Sequence, residues 1–234
     1  MVGAVAIENT IAGALLQNHE LLRKSNLVIV GEHKMRISHT LCALPGQTIE
    51  QLTEVNSHPM ALMQCANYLN MHPNLRKVEK FDTAGSAKEI AENGLTGHAA
   101  VCGEYAAQLY GLEILDRGIE TNKRNFTRFL FVCDPLMAHE LAPRPEDTDK
   151  ASIVFTIPHA KGSLCHILTI LSFYDINMSK SSPCLSSDAN GNTDSTWMSP
   201  MTVMSATARA SKPCALCSTN LRILGEYKEC KNEI

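Results

Sequence analysis

The 234-residue sequence has little net charge, −3 with the histidines neutral, so nothing electrostatic points to nucleic acid or an acidic membrane surface as partner. It has no apolar run long enough to span a bilayer. Met1–Leu16 is apolar, but it lacks a basic leader and is interrupted by Glu8 and Asn9, which argues against an export signal. Neither a P-loop nor a G-x-G-x-x-G turn is present, which removes the usual phosphate-cradling signatures. No G-x-S-x-G elbow accompanies Ser57-His58, so a hydrolase triad has no third partner. The nine cysteines are scattered, in a chain long enough to build a core without covalent staples, and this implies a reducing, cytoplasmic setting. Cys214-Ala-Leu-Cys217 has zinc or redox spacing but no second pair beside it; no metal and no cofactor are expected.

Apolar residues make up 44%, as in an ordinary globular protein. Val2–Ile7 reads as a buried strand with no start of its own, so an upstream piece is expected to be missing. Ile11–Ser25 has a helical period, Leu27–Gly31 is a continuous apolar strand, and Met35–Leu44 is extended. A regular alternation follows: strand Thr53–Asn56, helix Pro59–Leu69, strand Lys77–Phe81, helix Thr83–Glu92, strand Ala99–Cys102, helix Glu104–Tyr110, strand Leu112–Leu115 and strand Phe129–Cys133. Such an order predicts a mostly parallel α/β sheet.

Three domains of character emerge: residues 1–134, a Pro-rich and charged linker over 135–150, and a second unit over 151–234. The second unit opens with strand Ser152–Ile157, a helix from Gly162-Ser163 to Tyr174, and strand Ile176–Lys180. Residues 181–219 then lose every period, before Asn220–Lys228 returns as a strand. Asn190-Gly191-Asn192 has hairpin-turn chemistry inside that stretch. Read one base out of frame with suitable synonymous codons, the stretch can encode EYRFYVDV, an alternating strand, followed by YERYRQGIEALRPL, an amphipathic helix. Two compensating frameshifts, near Lys180 and Asn220, would explain this. As written, a third strand and second helix of a ferredoxin-like βαββαβ unit are lost; disorder is the other reading.

Polar clusters fall at strand ends, where open α/β sheets bind ligands. They are Glu8-Asn9-Thr10 with Gly13; Ser57-His58-Pro59 with Gln64 and Cys65; Asp82-Thr83-Ala84-Gly85-Ser86; and Thr127-Arg128-Phe129. Each alone is explained as a cap or turn, with Ser57 available to cap the Pro59 helix, and Cys65 and Cys102 fit a core. His58 could be a general base, although a helix N-terminus disfavours its cation. Together the clusters suit a small polyanion, with neutral hydrogen-bonding groups, one guanidinium and little acid–base machinery. Thr127 and Arg128 alternate along a strand, so both can serve one pocket only at a strand end or bend.

The stretches Ala6–Gly13, Ser57–Cys65, Asp82–Ala87, Ala106–Gly111 and Asn125–Leu130, in this order and spacing, resemble the prephenate dehydratase family, and the unit after Ala151 resembles the ACT regulatory domain that follows it. Gly162-Ser163-Leu164-Cys165 is similar to the effector-binding glycine turn, and the frame-shifted string restores a serine-leucine-proline variant of the second effector motif. The resemblance implies a two-lobed, periplasmic-binding-protein-like catalytic domain with its site in the cleft, and decarboxylative dehydration of prephenate to phenylpyruvate in phenylalanine biosynthesis. It implies Thr127 as proton donor, Arg128 as a carboxylate clamp, Asn9, Ser57, Gln64 and Phe129 as substrate-binding residues, Thr83 and Ser86 more weakly, and Gly162, Ser163 and Leu164 as effector residues. It also implies L-phenylalanine as allosteric effector and a homodimer or larger homo-oligomer. The family's first strand, with its glycine-rich turn, has no counterpart here, so weak activity is expected. Arogenate dehydratase, and a non-catalytic two-lobed binding protein for small anions or amino acids, are the competing readings.

Overall fold

The computed structural model describes residues 1–157, 161–174, 176–178, 182–187, 193–202 and 219–230. The chain forms two compact units, one built from Met1–Met35 with Phe126–Ile234 and the other from Arg36–Asn125.

The Arg36–Asn125 unit holds a five-stranded sheet made of β4 (Thr40–Ala43), β5 (Glu54–Ser57), β6 (Arg76–Glu79), β7 (His98–Cys102) and β8 (Glu113–Arg117), in the order β6-β5-β7-β4-β8. Only β6, β5 and β7 are parallel; β4 pairs antiparallel with both β7 and β8. The expectation of a mostly parallel sheet therefore holds for its helix-connected strands and fails at β4, which enters from the other unit with no crossover helix. Short helices cover both faces. Leu41, Ala43, Val55, Ala99 and Val101 pack with Leu62 of α2 (Pro59–Gln64), Leu69 of α3 (Ala66–Asn70) and Cys65 between them. Cys42, Ala100 and Cys102 pack with Ala87 and Ile90 of α4 (Thr83–Asn93) and Ala107 of α5 (Glu104–Leu109). Two-sided burial is why these strands read as continuous apolar runs. The helix read over Pro59–Leu69 is broken at Cys65, whose φ and ψ are −99° and 15°. Cys65 and Cys102 are buried core thiols, as their sequence context suggests; burial pushes the Cys65 thiol up to about 12, with Glu120 adding to the shift.

The other unit holds two sheets. In the first, β2 (Gly13–Ala14), β1 (Val2–Asn9), β9 (Phe126–Cys133) and β3 (Val28–Arg36) lie side by side, with β1 antiparallel to both β2 and β9. Gly13–Ala14 pairs back on β1, so the helix read from Ile11 begins only at Leu16, as α1 (Leu16–Lys24). The second sheet has the order β11-β13-β10-β14, from β10 (Lys150–Ile157), β11 (Asn177–Met178), β13 (Thr193–Thr202) and β14 (Thr219–Tyr227). β12 (Ser182–Ser187) also pairs with β13. β10 is buried on both faces. Ala151, Ile153 and Phe155 meet Ile167 and Leu171 of α7 (Ser163–Phe173), while Val154 joins Ile7, Leu22, Ile29 and Leu130.

Two sequence readings change here. The stretch without a period contains two strands, β12 and β13, because β10 offers β13 a full antiparallel partner from Lys150↔Thr202 to Ile157↔Ser195. A backbone ladder forms without an apolar period when the neighbouring strand supplies the partners. The stretch taken as linker contains α6 (Pro135–Leu141), whose Asp134 side chain accepts from Leu136 N with Pro135 in the first turn. The Asn190-Gly191-Asn192 turn, the Cys214/Cys217 pair and the stretch where the frame-shifted string would place a second helix lie outside the described residues.

β14 lies against β3 so closely that a Cβ at Gly225 would fall on the Ile29 carbonyl. Backbone cannot yield as a side-chain tip can, so Gly225→Ala is expected to cost about 1–3 kcal/mol through overpacking. Thermal unfolding followed by circular dichroism checks this; an unchanged midpoint would mean that the strands part freely.

Candidate active site

Thr127 sits at the second residue of β9, directly across from Asn9 at the end of β1. Asn9 Nδ2 donates to Thr127 Oγ1 at 3.0 Å, and Asn9 Oδ1 accepts from the N–H groups of Ile11 and Ala12, both at 2.9 Å. Those two backbone donors fix which way the amide faces, so Thr127 receives a hydrogen bond at oxygen and keeps its proton to give. Phe129, two residues along, is half-buried.

Arg128 turns to the opposite face, as strand alternation requires. Its Nη1 donates to Glu32 Oε2 and its Nη2 to Glu8 Oε2, both at 3.2 Å, and its side chain is only 10% exposed. The Glu32 side chain is fully buried. It also pairs with Lys150 Nζ at 3.0 Å and accepts from Cys230 N at 3.0 Å. Lys150 in turn reaches Glu229 at 3.3 Å. The carboxylate clamp expected of Arg128 thus already holds two protein carboxylates, because a cation this deep must be paired. Neither Glu32 nor Lys150 stands out in the sequence, and no local pattern announces them.

In the other unit, Ser57 is fully buried at the end of β5 and its Oγ donates to Val101 O at 2.6 Å. His58, not Ser57, caps α2, its Nδ1 accepting from Met60 N at 3.1 Å. With the Ser57 proton and the His58 Nδ1 lone pair both engaged in backbone contacts, the pair is not set as nucleophile and base. Asp82 caps α4 through Gly85 N; Ser86 is buried and donates to Asp82 O at 2.7 Å, and Thr83 opens the helix half-buried. Gln64 ends α2, half-buried, with Oε1 accepting from His39 Nε2 at 2.9 Å and Asn125 Nδ2 at 3.0 Å. His39 was visible in the sequence only as part of an extended stretch. Ser57 and Asp82 follow the parallel strands β5 and β6 at their C-terminal ends, the usual ligand edge of such sheets.

Gly162 has φ +84° at the start of α7, a left-handed conformation that glycine adopts without strain, and Ser163 and Leu164 follow it into the helix. Leu164 packs on the β10 core. Among the described residues, no three His, Cys, Asp or Glu side chains gather as a metal site, and no helix is long and apolar enough to cross a membrane.

A family model described as prephenate dehydratase matches residues 1–135. An Arabidopsis thaliana protein named arogenate dehydratase/prephenate dehydratase 6, chloroplastic, is 40% identical over 177 residues, covering 74% of this chain and 41% of its own length. Arogenate dehydratase 1 of Petunia hybrida is 39% identical over 175 residues, covering 74% and 40%. The chain therefore spans well under half the length of these curated relatives. Among solved structures, prephenate dehydratase of Arthrobacter aurescens in complex with L-Phe superposes with a TM-score of 0.83 at 26% identity, covering 97% of this chain and 75% of that one. A structure described as GqqA, a novel type of quorum quenching acylase, superposes at 0.85 with 29% identity, covering 98% and 82%.

Proposed function

Since the chain belongs to the prephenate dehydratase family, we propose that it converts prephenate to phenylpyruvate, losing the ring carboxylate as carbon dioxide and the ring hydroxyl as water. The C–C bond to the departing carboxylate supplies the electron pair that aromatises the ring as the C–O bond breaks. Aromatisation drives the reaction, so the protein has mainly to orient a dianion and protonate the leaving oxygen. The observation that carries this reading is the Thr127 hydroxyl, hydrogen-bonded at oxygen by Asn9 and so left to act as donor. Thr127 gives its proton to the departing hydroxyl and recovers one from solvent. We assign substrate binding to Asn9 and Phe129 in the unit that carries Thr127, and to Gln64, Ser57, Thr83 and Ser86 in the Arg36–Asn125 unit. Arg128, held by Glu8 and Glu32 on the face of β9 opposite Thr127, braces the strand that carries the proton donor.

The fold is shared with a protein described as an acylase, so residues rather than fold must choose the chemistry. The engaged Ser57 and His58 favour the dehydratase. Arogenate is the second reading, supported by the names of the plant relatives. Incubating the full chain with prephenate and, separately, with arogenate tests both. Phenylpyruvate from the first or phenylalanine from the second identifies the substrate, and turnover of neither overturns the dehydratase reading.

The unit after Lys150 we take as an ACT-type effector domain. Its strand order β11-β13-β10-β14 is that of a ferredoxin-like βαββαβ unit, with β12 extending the edge beside β11. Gly162, Ser163 and Leu164 are its effector turn for L-phenylalanine, in a homodimer or larger homo-oligomer. The two compensating frameshifts belong to the same proposal, and in-frame codons throughout on resequencing would end it. A cytoplasmic location is proposed from the scattered thiols, although the Arabidopsis relative is named chloroplastic.

A further inference from the structure

Gln64 can face its ligand with either end of its amide, and the protein has chosen which. Its Oε1 has two lone pairs. One accepts from His39 Nε2 at 2.9 Å and the other from Asn125 Nδ2 at 3.0 Å. A carbonyl oxygen only accepts, so His39 donates from Nε2; its Nδ1 is buried and has no hydrogen-bond partner among the described residues. Both partners are themselves clamped. His39 N donates to Glu120 Oε2 at 2.9 Å and its carbonyl accepts from Ile119 N at 3.0 Å. Asn125 is fully buried, and its carbonyl accepts from Ile37 N at 2.8 Å. The Gln64 main chain is tied down by Thr121 N at 2.8 Å. What Gln64 has left to offer is its NH2 group.

We propose that His39 and Asn125 are positioning residues that lock the Gln64 amide with its two N–H donors outward, so that Gln64 binds a substrate carboxylate or carbonyl oxygen and disfavours an ammonium group. This rests on reading Gln64 as a substrate-binding residue of a dehydratase. Neither positioning residue touches substrate; both act through Gln64.

The test uses the full chain with prephenate. His39→Leu removes a donor and is expected to raise KM about tenfold, the worth of one ordinary hydrogen bond, with a smaller change in kcat. His39→Gln, which restores an N–H at the same reach, is expected to recover most of the loss. Asn125→Asp places an acceptor against Gln64 Oε1, which turns the amide over, so its KM should rise more than that of Asn125→Ala. Far-UV circular dichroism confirms folding of each variant. Unchanged KM in both folded His39→Leu and folded Asn125→Asp overturns the proposal while leaving the dehydratase reading intact.

A second readout needs no turnover. The Gln64 side-chain NH2 signals, assigned by their loss in Gln64→Met, should exchange quickly with water in the 15N-labelled wild-type chain and slowly in Asn125→Asp, where the group turns inward. Protection in the wild type overturns the proposal. Absence of wild-type turnover overturns the dehydratase reading alone, and the exchange result then decides the amide orientation.

Discussion

Thr127→Ala is expected to lower kcat for phenylpyruvate formation by about 10²–10⁴-fold, the range for loss of a positioned proton donor. KM should change much less, because the hydroxyl matters most as the C–O bond breaks. A threonine hydroxyl is a weak acid, and in the proposed mechanism Asn9 is the group that assists it. On that mechanism the Nδ2–H held at 3.0 Å would stabilise charge developing on Oγ1, and the two backbone donors on Asn9 Oδ1 keep that amide from turning. Thr127→Ser keeps the hydroxyl and should retain most of the rate. Asn9→Asp should fall in between, since a carboxylate there would take the proton rather than support its departure. Steady-state assays on the four chains check the order, and a Thr127→Ala variant as fast as wild type would remove Thr127 from the mechanism.

Glu32→Leu is the substitution expected to cost most in stability, about 3–5 kcal/mol, because it strands two buried cations. Among the described residues, Arg128 would keep Glu8 alone and Lys150 the partly exposed Glu229 alone, while Cys230 N would lose its acceptor. The double change Glu32→Leu with Lys150→Leu should recover much of the loss, since apolar groups of similar size often replace a buried ion pair at little cost. Urea unfolding of the wild type and the two variants checks both statements. A single variant within about 1 kcal/mol of wild type would mean that the network is worth no more than a surface pair. The same carboxylate ties β9, which carries Thr127, to β10 at the root of the second sheet, so a damaged network should also lower activity beyond any unfolded fraction.

Much of this molecule was legible locally. Strand and helix faces repeat every two or 3.6 residues, so β5, β7, α4 and the two-faced β10 could be read from their own neighbourhoods. The Asp82 cap and the glycine at 162 are likewise short-range requirements. The family-like stretches around Asn9, Ser57, Gln64 and Thr127 were visible because each is contiguous. Tertiary structure decided the pairings that no window contains. It put β4 antiparallel between β7 and β8, made strands of 182–187 and 193–202 by giving them a neighbour, and broke the Pro59 helix at Cys65. It also chose the partners of the charged and amide groups. Arg128 meets Glu32 across 96 residues, Lys150 meets the same carboxylate across 118, and His39 meets Gln64 across 25. A side chain's type and spacing specify what it can bond to, but burial selects which bond is made, because a buried polar group must find its partner wherever the fold brings one.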